Sequence, residues 1–193
     1  MNHDTAYQIL TRHLTNKNLI KHSLAAEAAM MALYIHLTPE NRQNGADKEK
    51  WGITGLLHDI DYEIAQNEGL LQKHGILLFE RGELDLPEDI ATAIKSHNYK
   101  MTKIEPKSQM DWAITACDQL TGLIVAGALI HPDKKLAKLT SDFILKRFSE
   151  KSFARGADRT SIMLCEPKLN IPLKDFIEIT LTAMQGIHQE LGL

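Results

Sequence analysis

Apolar residues recur three or four positions apart along almost the whole of this 193-residue chain, and stretches with strict two-residue alternation are hard to find. This spacing gathers apolar side chains on one face of an α-helix, whereas a strand needs a period of two. A chain of this length fits one domain and can bury a substantial core. The sequence therefore predicts an all-α fold, a single-domain helical bundle over residues 1–193.

Capping residues and helix breakers predict where the individual helices lie. No internal repeat, low-complexity tract or linker divides them, and an irregular basic segment follows at 151–159. The predicted helices are one capped by Asp4, one from Asn16 or Asn18 to about His36, one from about Lys48 to His58-Asp59, one near 70–81, one from Pro87 to His97, one from Ser108 to before His131, one at about 133–148, and one at about 172–191.

Charge and cysteine content restrict the classes of protein. A net charge of -3 and an isoelectric point near 6.3 argue against a general nucleic-acid binder. Two cysteines, Cys117 and Cys165, are too few for a disulfide framework, and the first residues do not resemble a secretory signal. The most apolar stretch, Leu120 to Ile130, falls well short of the roughly 20 residues that cross a bilayer. We therefore expect a cytoplasmic protein without a membrane span.

Six side chains of types that bind divalent metals are spread along the predicted helices. Imidazole and carboxylate ligands together suit Mn, Fe, Co, Ni or Zn better than Mg or Ca. Helices carrying such residues can share a metal only around a common cavity. His58 and Asp59 are adjacent and would diverge by about 100° on a regular helix, so they can share an ion only where the helix ends. The six candidates are His22, His58, Asp59, His74, His97 and Asp118.

This pattern resembles the HD superfamily of metal-dependent phosphohydrolases, whose signature is a His, a His-Asp pair and an Asp on separate helices. The resemblance defines a motif core at about 18–130 and a C-terminal helical extension at about 131–193, and the tail is similar to an uncharacterised bacterial branch. The similar segments are Gly55-Leu56-Leu57-His58-Asp59, Lys73-His74-Gly75, Ser96-His97-Asn98 and Lys151-Ser152-Phe153-Ala154-Arg155-Gly156.

The resemblance implies one metal on His22, His58, Asp59 and Asp118, and a second on His74 and His97, with Asp59 bridging the two. Metal-activated water would then hydrolyse a phosphoester or phosphoanhydride in a nucleotide or another small phosphorylated substrate. Because the minimal signature does not need His74 and His97, a site with one ion stays open. Two other functions also stay open: a diiron HD-type oxygenase, and a regulatory module that binds nucleotide without turnover.

One departure from the family concerns the residues after the His-Asp pair. Many binuclear members read His-Asp-Ile-Gly-Lys, with the lysine contacting phosphate, whereas Asp61 and Tyr62 replace the glycine and lysine here. Asp61 is predicted either as a catalytic general acid or base beside Asp59, or as a partner that orients a metal-bound histidine.

Because Tyr62 replaces the phosphate-contacting lysine of the family, another cationic side chain must contact the substrate. The predicted contacts are Lys151, Arg155 and Arg159 in the basic segment, since arginine is the better bidentate phosphate ligand. Lys100 and Lys103 are further candidates. A run of charges is also typical of a solvated face, and the sequence does not indicate the oligomeric state.

Overall fold

The computed structural model describes residues 1–193 and contains helices and turns but no strand, which confirms the all-α prediction. Short 3₁₀ turns at Glu40–Arg42, Leu71–Lys73 and Leu136–Lys138 interrupt the connections. The helices are α1 His3–His13, α2 Lys17–Leu37, α3 Gly45–Leu57, α4 Tyr62–Asn67, α5 Leu77–Glu80, α6 Glu88–His97, α7 Tyr99–Thr102, α8 Gln109–Ile130, α9 Ser141–Ser149, α10 Arg159–Ile162, α11 Cys165–Leu169, α12 Leu173–Gly186 and α13 His188–Leu191.

The core is built around α2 and α8. α3 and α12 pack against α2, and α6 packs against α8. The main hydrophobic cluster extends from Ala25 in α2 through α8 to Leu191 in α13, and a smaller cluster joins α1, α3 and α6. The C-terminal helices thus share the main core with the helices that carry the candidate metal ligands.

Two glycines let α3 lie very close to α2. A Cβ at Gly55 would stand 2.5 Å from the carbonyl oxygen of Ala26, and one at Gly52 would stand 2.6 Å from Cε of Met31. The first of these contacts is with main chain, which cannot rotate away as a methionine tip can. The close crossing matters because α2 carries His22 and α3 ends just before His58.

Replacing Gly55 by Ala should therefore push the two helices apart. We expect Gly55→Ala to lower the free energy of unfolding by at least about 2 kcal/mol despite the better helix propensity of alanine. The matched control is Gly122→Ala in α8, where a Cβ meets nothing within 4 Å. That change should add about 0.5 to 1 kcal/mol. Urea denaturation measures both values, and equal effects of the two substitutions would contradict the close crossing.

Several predicted helices are confirmed with small shifts. Asn2 rather than Asp4 caps α1, and Asn16 caps α2 as expected. Asn44 caps α3, which begins three residues before the predicted start and ends at Leu57, so that His58 and Asp59 follow the helix directly. Ser108 caps α8 in a capping box with Asp111.

Three predicted helices are wrong in extent. The segment 70–81 is a 3₁₀ turn and the short α5, separated at Gly75, whose φ of +94° is outside the helical region. The segment 133–148 becomes regular only at Ser141, since Lys134 has a φ of +50° and Thr140 caps α9. The last helix ends at Gly186 and is followed by the short α13.

α8 is longer than the apolar stretch that the sequence pattern marked. Its 22 residues are long and apolar enough to cross a membrane by length and composition, contrary to the expectation from residues 120–130 alone. Most of its apolar window, 61%, is buried inside the bundle. Such burial is typical of a core helix, and helix length alone does not distinguish a core helix from a membrane span.

Candidate metal centre

The structure brings the six predicted ligands together in two groups that share Asp59. Each group has its ligand atoms within 4.8 Å of one another. The first comprises His22 from α2, His58 and Asp59 after α3, and Asp118 from the middle of α8. The second comprises Asp59, His74 from the break before α5, and His97 at the end of α6.

In the first group the imidazoles and carboxylates face one another closely. Nε2 of His22 lies 2.9 Å from Oδ1 of Asp118 and 3.4 Å from Oδ2 of Asp59. Nε2 of His58 lies 3.4 Å from Oδ1 of Asp118 and 3.2 Å from Nε2 of His22. The four side chains therefore surround one point.

The second group is approached by Oδ1 of Asp59, which also lies 3.4 Å from Nε2 of His58 in the first group. Oδ1 of Asp59 lies 2.9 Å from Nε2 of His74 and 3.7 Å from Nε2 of His97. The two imidazole nitrogens lie 3.1 Å apart. Because Oδ2 lies near His22 and Oδ1 lies near both His58 and His74, the carboxylate contacts both groups, as a bridging ligand would.

The distances fit ions held by these atoms. Two ligands each about 2.1 Å from one ion stand roughly 3.0 to 3.4 Å apart at octahedral or tetrahedral angles. The separations within the groups, from 2.9 to 3.7 Å, cluster around this range. Pairs of imidazole Nε2 atoms barely more than 3 Å apart also need a shared cation or proton between them, since two lone pairs repel.

The orientation of the four histidines also fits metal binding. In all four, Nδ1 faces an acceptor and leaves Nε2 directed at the groups. The acceptors are the Gly55 carbonyl for His58 at 2.7 Å, the Ile94 carbonyl for His97 at 2.6 Å, Oδ1 of Asp61 for His74 at 2.7 Å and Oγ1 of Thr121 for His22 at 3.2 Å. Metal-bound histidines almost always donate their second nitrogen in this way. The buried His and Asp side chains could thus hold metal ions.

The charges of the site depend on each other. Burial opposes ionisation of Asp59, but attraction to His58 and hydrogen bonds from His74 and His97 outweigh it and lower the pKa well below its ordinary range. Burial likewise opposes ionisation of Asp118, and hydrogen bonds from His22 and His58 lower its pKa. Both carboxylates are therefore anions at neutral pH, as metal ligands must be.

Two histidines carry protons that an ion must displace. Burial disfavours the charged form of His58, yet the charge of Asp59 and the hydrogen bond to Asp118 raise its pKa to about 9. Burial also disfavours protonation of His74, but hydrogen bonds to Asp59 and Asp61 raise its pKa to about 10. A metal needs the neutral imidazole, so binding at pH 7 releases both protons.

Metal affinity should accordingly rise with pH from 6 towards about 9, where His58 begins to lose its proton without a metal. We expect about two protons released on loading at pH 7 and fewer above pH 9. Calorimetry in two buffers of different ionisation enthalpy measures the number. A binding heat that is identical in both buffers at pH 7 would contradict the expectation.

Asp61 lies beside the centre rather than in it. Its side chain is buried, and its oxygens accept hydrogen bonds from Nδ1 of His74, the Gly75 amide and the Leu77 amide at 2.7 to 3.0 Å. It is not among the residues that line the adjoining cavity. Of its two predicted roles, this position supports the partner that orients His74, and the role of acid or base stays a prediction.

The second group opens onto a cavity of about 380 Å³, here called the main cavity. Lys100 is the only lysine or arginine among its lining residues, and its ammonium pairs with the carboxylate of Asp158. The lining residues are Asp59, Tyr62, Leu71, His74, His97, Asn98, Tyr99, Lys100, Thr115, Asp118, Gln119, Asp158 and Ser161. A wall this polar suits a polar small molecule.

The predicted substrate contacts in the basic segment do not reach this cavity. Lys151 and Arg155 are exposed and do not line it. The guanidinium of Arg159 donates to the carbonyls of Phe153, Ala154 and Ala157, so it holds the turn that precedes α10. The substrate roles of Lys151 and Arg155 stay predictions, whereas the main-chain acceptors that occupy the guanidinium of Arg159 give it a structural role that local charge density did not reveal.

Sequence reasoning missed other residues of the cavity wall. Gln119 directly follows Asp118, donates from Nε2 to Oδ2 of Asp118 at 2.7 Å, and accepts at Oε1 from the Asp158 amide at 3.0 Å. Asn98 directly follows His97 and lines the main cavity. Gln119 and Asn98 could have been predicted as site residues because each directly follows a predicted ligand. No local feature predicted a role for Asp158, which lies in the basic segment 151–159.

Comparisons with protein-family models, with curated proteins and with solved structures find no match to this chain.

Proposed function

We propose that this protein is a metal-dependent phosphohydrolase of the HD superfamily type that acts on a nucleotide or another small phosphorylated substrate. The observation that carries the proposal is the shared carboxylate of Asp59, which lies between two groups of ligands at the wall of a polar cavity. Two adjacent metal positions joined by a carboxylate are a common arrangement for displacement at phosphorus. The order of the ligands along the chain supports the same superfamily.

Bound divalent ions would supply a water of lowered pKa and positive charge for the phosphoryl oxygens. The protein supplies the rest of the site. His22, His58 and Asp118 would hold one ion, His74 and His97 the other, and Asp59 both. Gln119 holds one oxygen of Asp118, and Asn98 and Lys100 line the space for substrate. This division of roles assigns polar substrate contacts to Asn98 and Lys100 rather than to the side chains of Lys151, Arg155 and Arg159.

Elemental analysis and activity assays on the same sample test the proposal. The protein is purified without added metal or chelator and kept from air, and we expect about two ions per chain drawn from Mn, Fe, Co, Ni and Zn. A panel of nucleotides and phosphoesters should then release phosphate or alcohol, and a chelator should stop the release.

The two alternative functions give different results in these assays. Oxygen consumption by an iron-loaded sample that leaves every phosphoester intact would indicate an oxygenase. Nucleotides that bind and stay intact with every metal would indicate a regulatory module. Either result would overturn the proposal. The cytoplasmic location stays a prediction from composition.

A further inference from the structure

The candidate metal centre borders two cavities rather than one. Besides the main cavity, a second cavity of about 350 Å³, here called the side cavity, reaches the first ligand group at His22 and Asp118. Its remaining lining residues are Gln119, Gly122, Ala154, Gly156 and Ala157. Both volumes lie within the roughly 300 to 1,000 Å³ of small-molecule sites. The ligands are thus accessible from two directions.

Gln119 separates the two cavities. It lines both, as does Asp118. Its amide bridges Oδ2 of Asp118 on one side and the main chain of Asp158 on the other, with distances of 2.7 and 3.0 Å. Because both ends of this amide are bonded, the side chain is held in place, and the residues common to both cavities are Asp118 and Gln119.

The two cavities differ in charge. Lys100 and Asp158 form an ion pair in the wall of the main cavity, so together they add no net charge. The side cavity contains no lysine or arginine, and apart from the candidate ligands its wall consists of Gln119, glycine and alanine. Neither cavity wall therefore contains a lysine or arginine without a paired carboxylate, and the side cavity suits an uncharged group.

We propose that the substrate is a phosphodiester, with its phosphorus at the metal ligands and one organic substituent in each cavity. This inference rests on the proposed function and narrows its substrate class. A phosphomonoester has one organic substituent and two negative charges, so it would leave one cavity empty, and no unpaired lysine or arginine of the cavity walls would add to the charge of the metal ions. A diester has two substituents and one negative charge, and both features match the site. The more polar substituent occupies the main cavity, and the smaller neutral one occupies the side cavity.

The reaction is a hydrolysis without redox change. The oxygen of water forms a bond to phosphorus, and the bond from phosphorus to one ester oxygen breaks. One proton of the water ends on the departing alcohol, and the hydroxyl stays on phosphorus. The products are one alcohol and one phosphomonoester, which then carries the additional negative charge.

Two chromogenic substrates with the same leaving group test the proposal on the full-length, metal-loaded protein. They are p-nitrophenyl phosphate, a monoester, and the p-nitrophenyl ester of thymidine 5′-monophosphate, a diester. We expect kcat/KM for the diester to exceed that for the monoester by at least about tenfold. A smaller preference or the reverse overturns the diester assignment while the proposed phosphohydrolase stands. If neither ester is hydrolysed with any metal, the proposed function itself fails.

Filling the side cavity gives an independent test. Gly122→Leu places a side chain where a Cβ meets nothing within 4 Å, and the matched control Gly186→Leu does so at an exposed position on α12. We expect the diester to monoester ratio to fall at least about tenfold in the first variant only. An unchanged ratio in a folded, metal-loaded Gly122→Leu overturns the role of the side cavity. Gly156 also lines the side cavity, and if Gly122→Leu does not fold, the same measurement on Gly156→Leu decides.

Discussion

Replacing Asp59 by Ala should remove the second metal ion and weaken the first, because this carboxylate is the only ligand common to both groups. Two histidines then remain at one position and three ligands at the other. The loss of several kcal/mol of transition-state stabilisation corresponds to a fall in kcat/KM of about a thousandfold or more. Elemental analysis and phosphoester hydrolysis measure the two effects, and circular dichroism should report an unchanged helix content.

The control for this substitution is Asp142→Ala on α9, whose carboxylate is mostly exposed and pairs with Lys174. It removes the same charge and should leave metal content and turnover at the level of the unmodified protein. An Asp59→Ala protein that still holds two ions per chain would exclude the shared position of this carboxylate.

Replacing Asp61 by Ala should both destabilise the fold and release one ion. The substitution leaves three donors without their acceptor: Nδ1 of His74 and the amides of Gly75 and Leu77. A buried donor without a partner costs about 1 to 3 kcal/mol, so we expect a loss of about 3 to 5 kcal/mol in the free energy of unfolding. His74 would lose its orientation, and the metal content should fall from two ions to one. Urea denaturation and elemental analysis measure the two effects.

Glu63→Ala is the matched control, because Glu63 also accepts three hydrogen bonds, from Thr15 and Asn16, but at the surface. Water can replace it there, and we expect a cost of about 1 kcal/mol with no change in metal content. The metal content also separates the two predicted roles of Asp61. If Asp61→Ala keeps both ions and loses turnover, Asp61 is the general acid or base and not the partner of His74.

Apolar spacing was sufficient to predict the all-α fold, and residue type together with the resemblance to the HD superfamily selected six side chains that converge. The helix predicted to end at His58-Asp59 ends at Leu57, and that ending is what allows His58 and Asp59 to face one centre. The local rules worked here because each signal lies within a few residues of its effect.

Features that depend on distant contacts could not be predicted. The break at Gly75 reflects hydrogen bonds to Asp61, which lies 14 residues away in sequence. The guanidinium of Arg159 donates to main-chain carbonyls of the preceding turn, and no sequence pattern predicts that turn. The contact between Gln119 and Asp158 depends on the packing of the segment before α10 onto α8, and neither segment has a sequence feature that predicts this packing.

The acceptors behind the four histidines divide them into two kinds. His58 and His97 donate to carbonyls three residues earlier in their own helices, whereas His22 and His74 depend on the side chains of Thr121 and Asp61. No side-chain replacement can remove a main-chain carbonyl, so the helix backbone itself fixes the orientation of His58 and His97. The second pair is open to mutation, and each of its members belongs to a different ligand group. Evolution could therefore retune the affinity of either metal position alone by exchanging one residue that touches no metal.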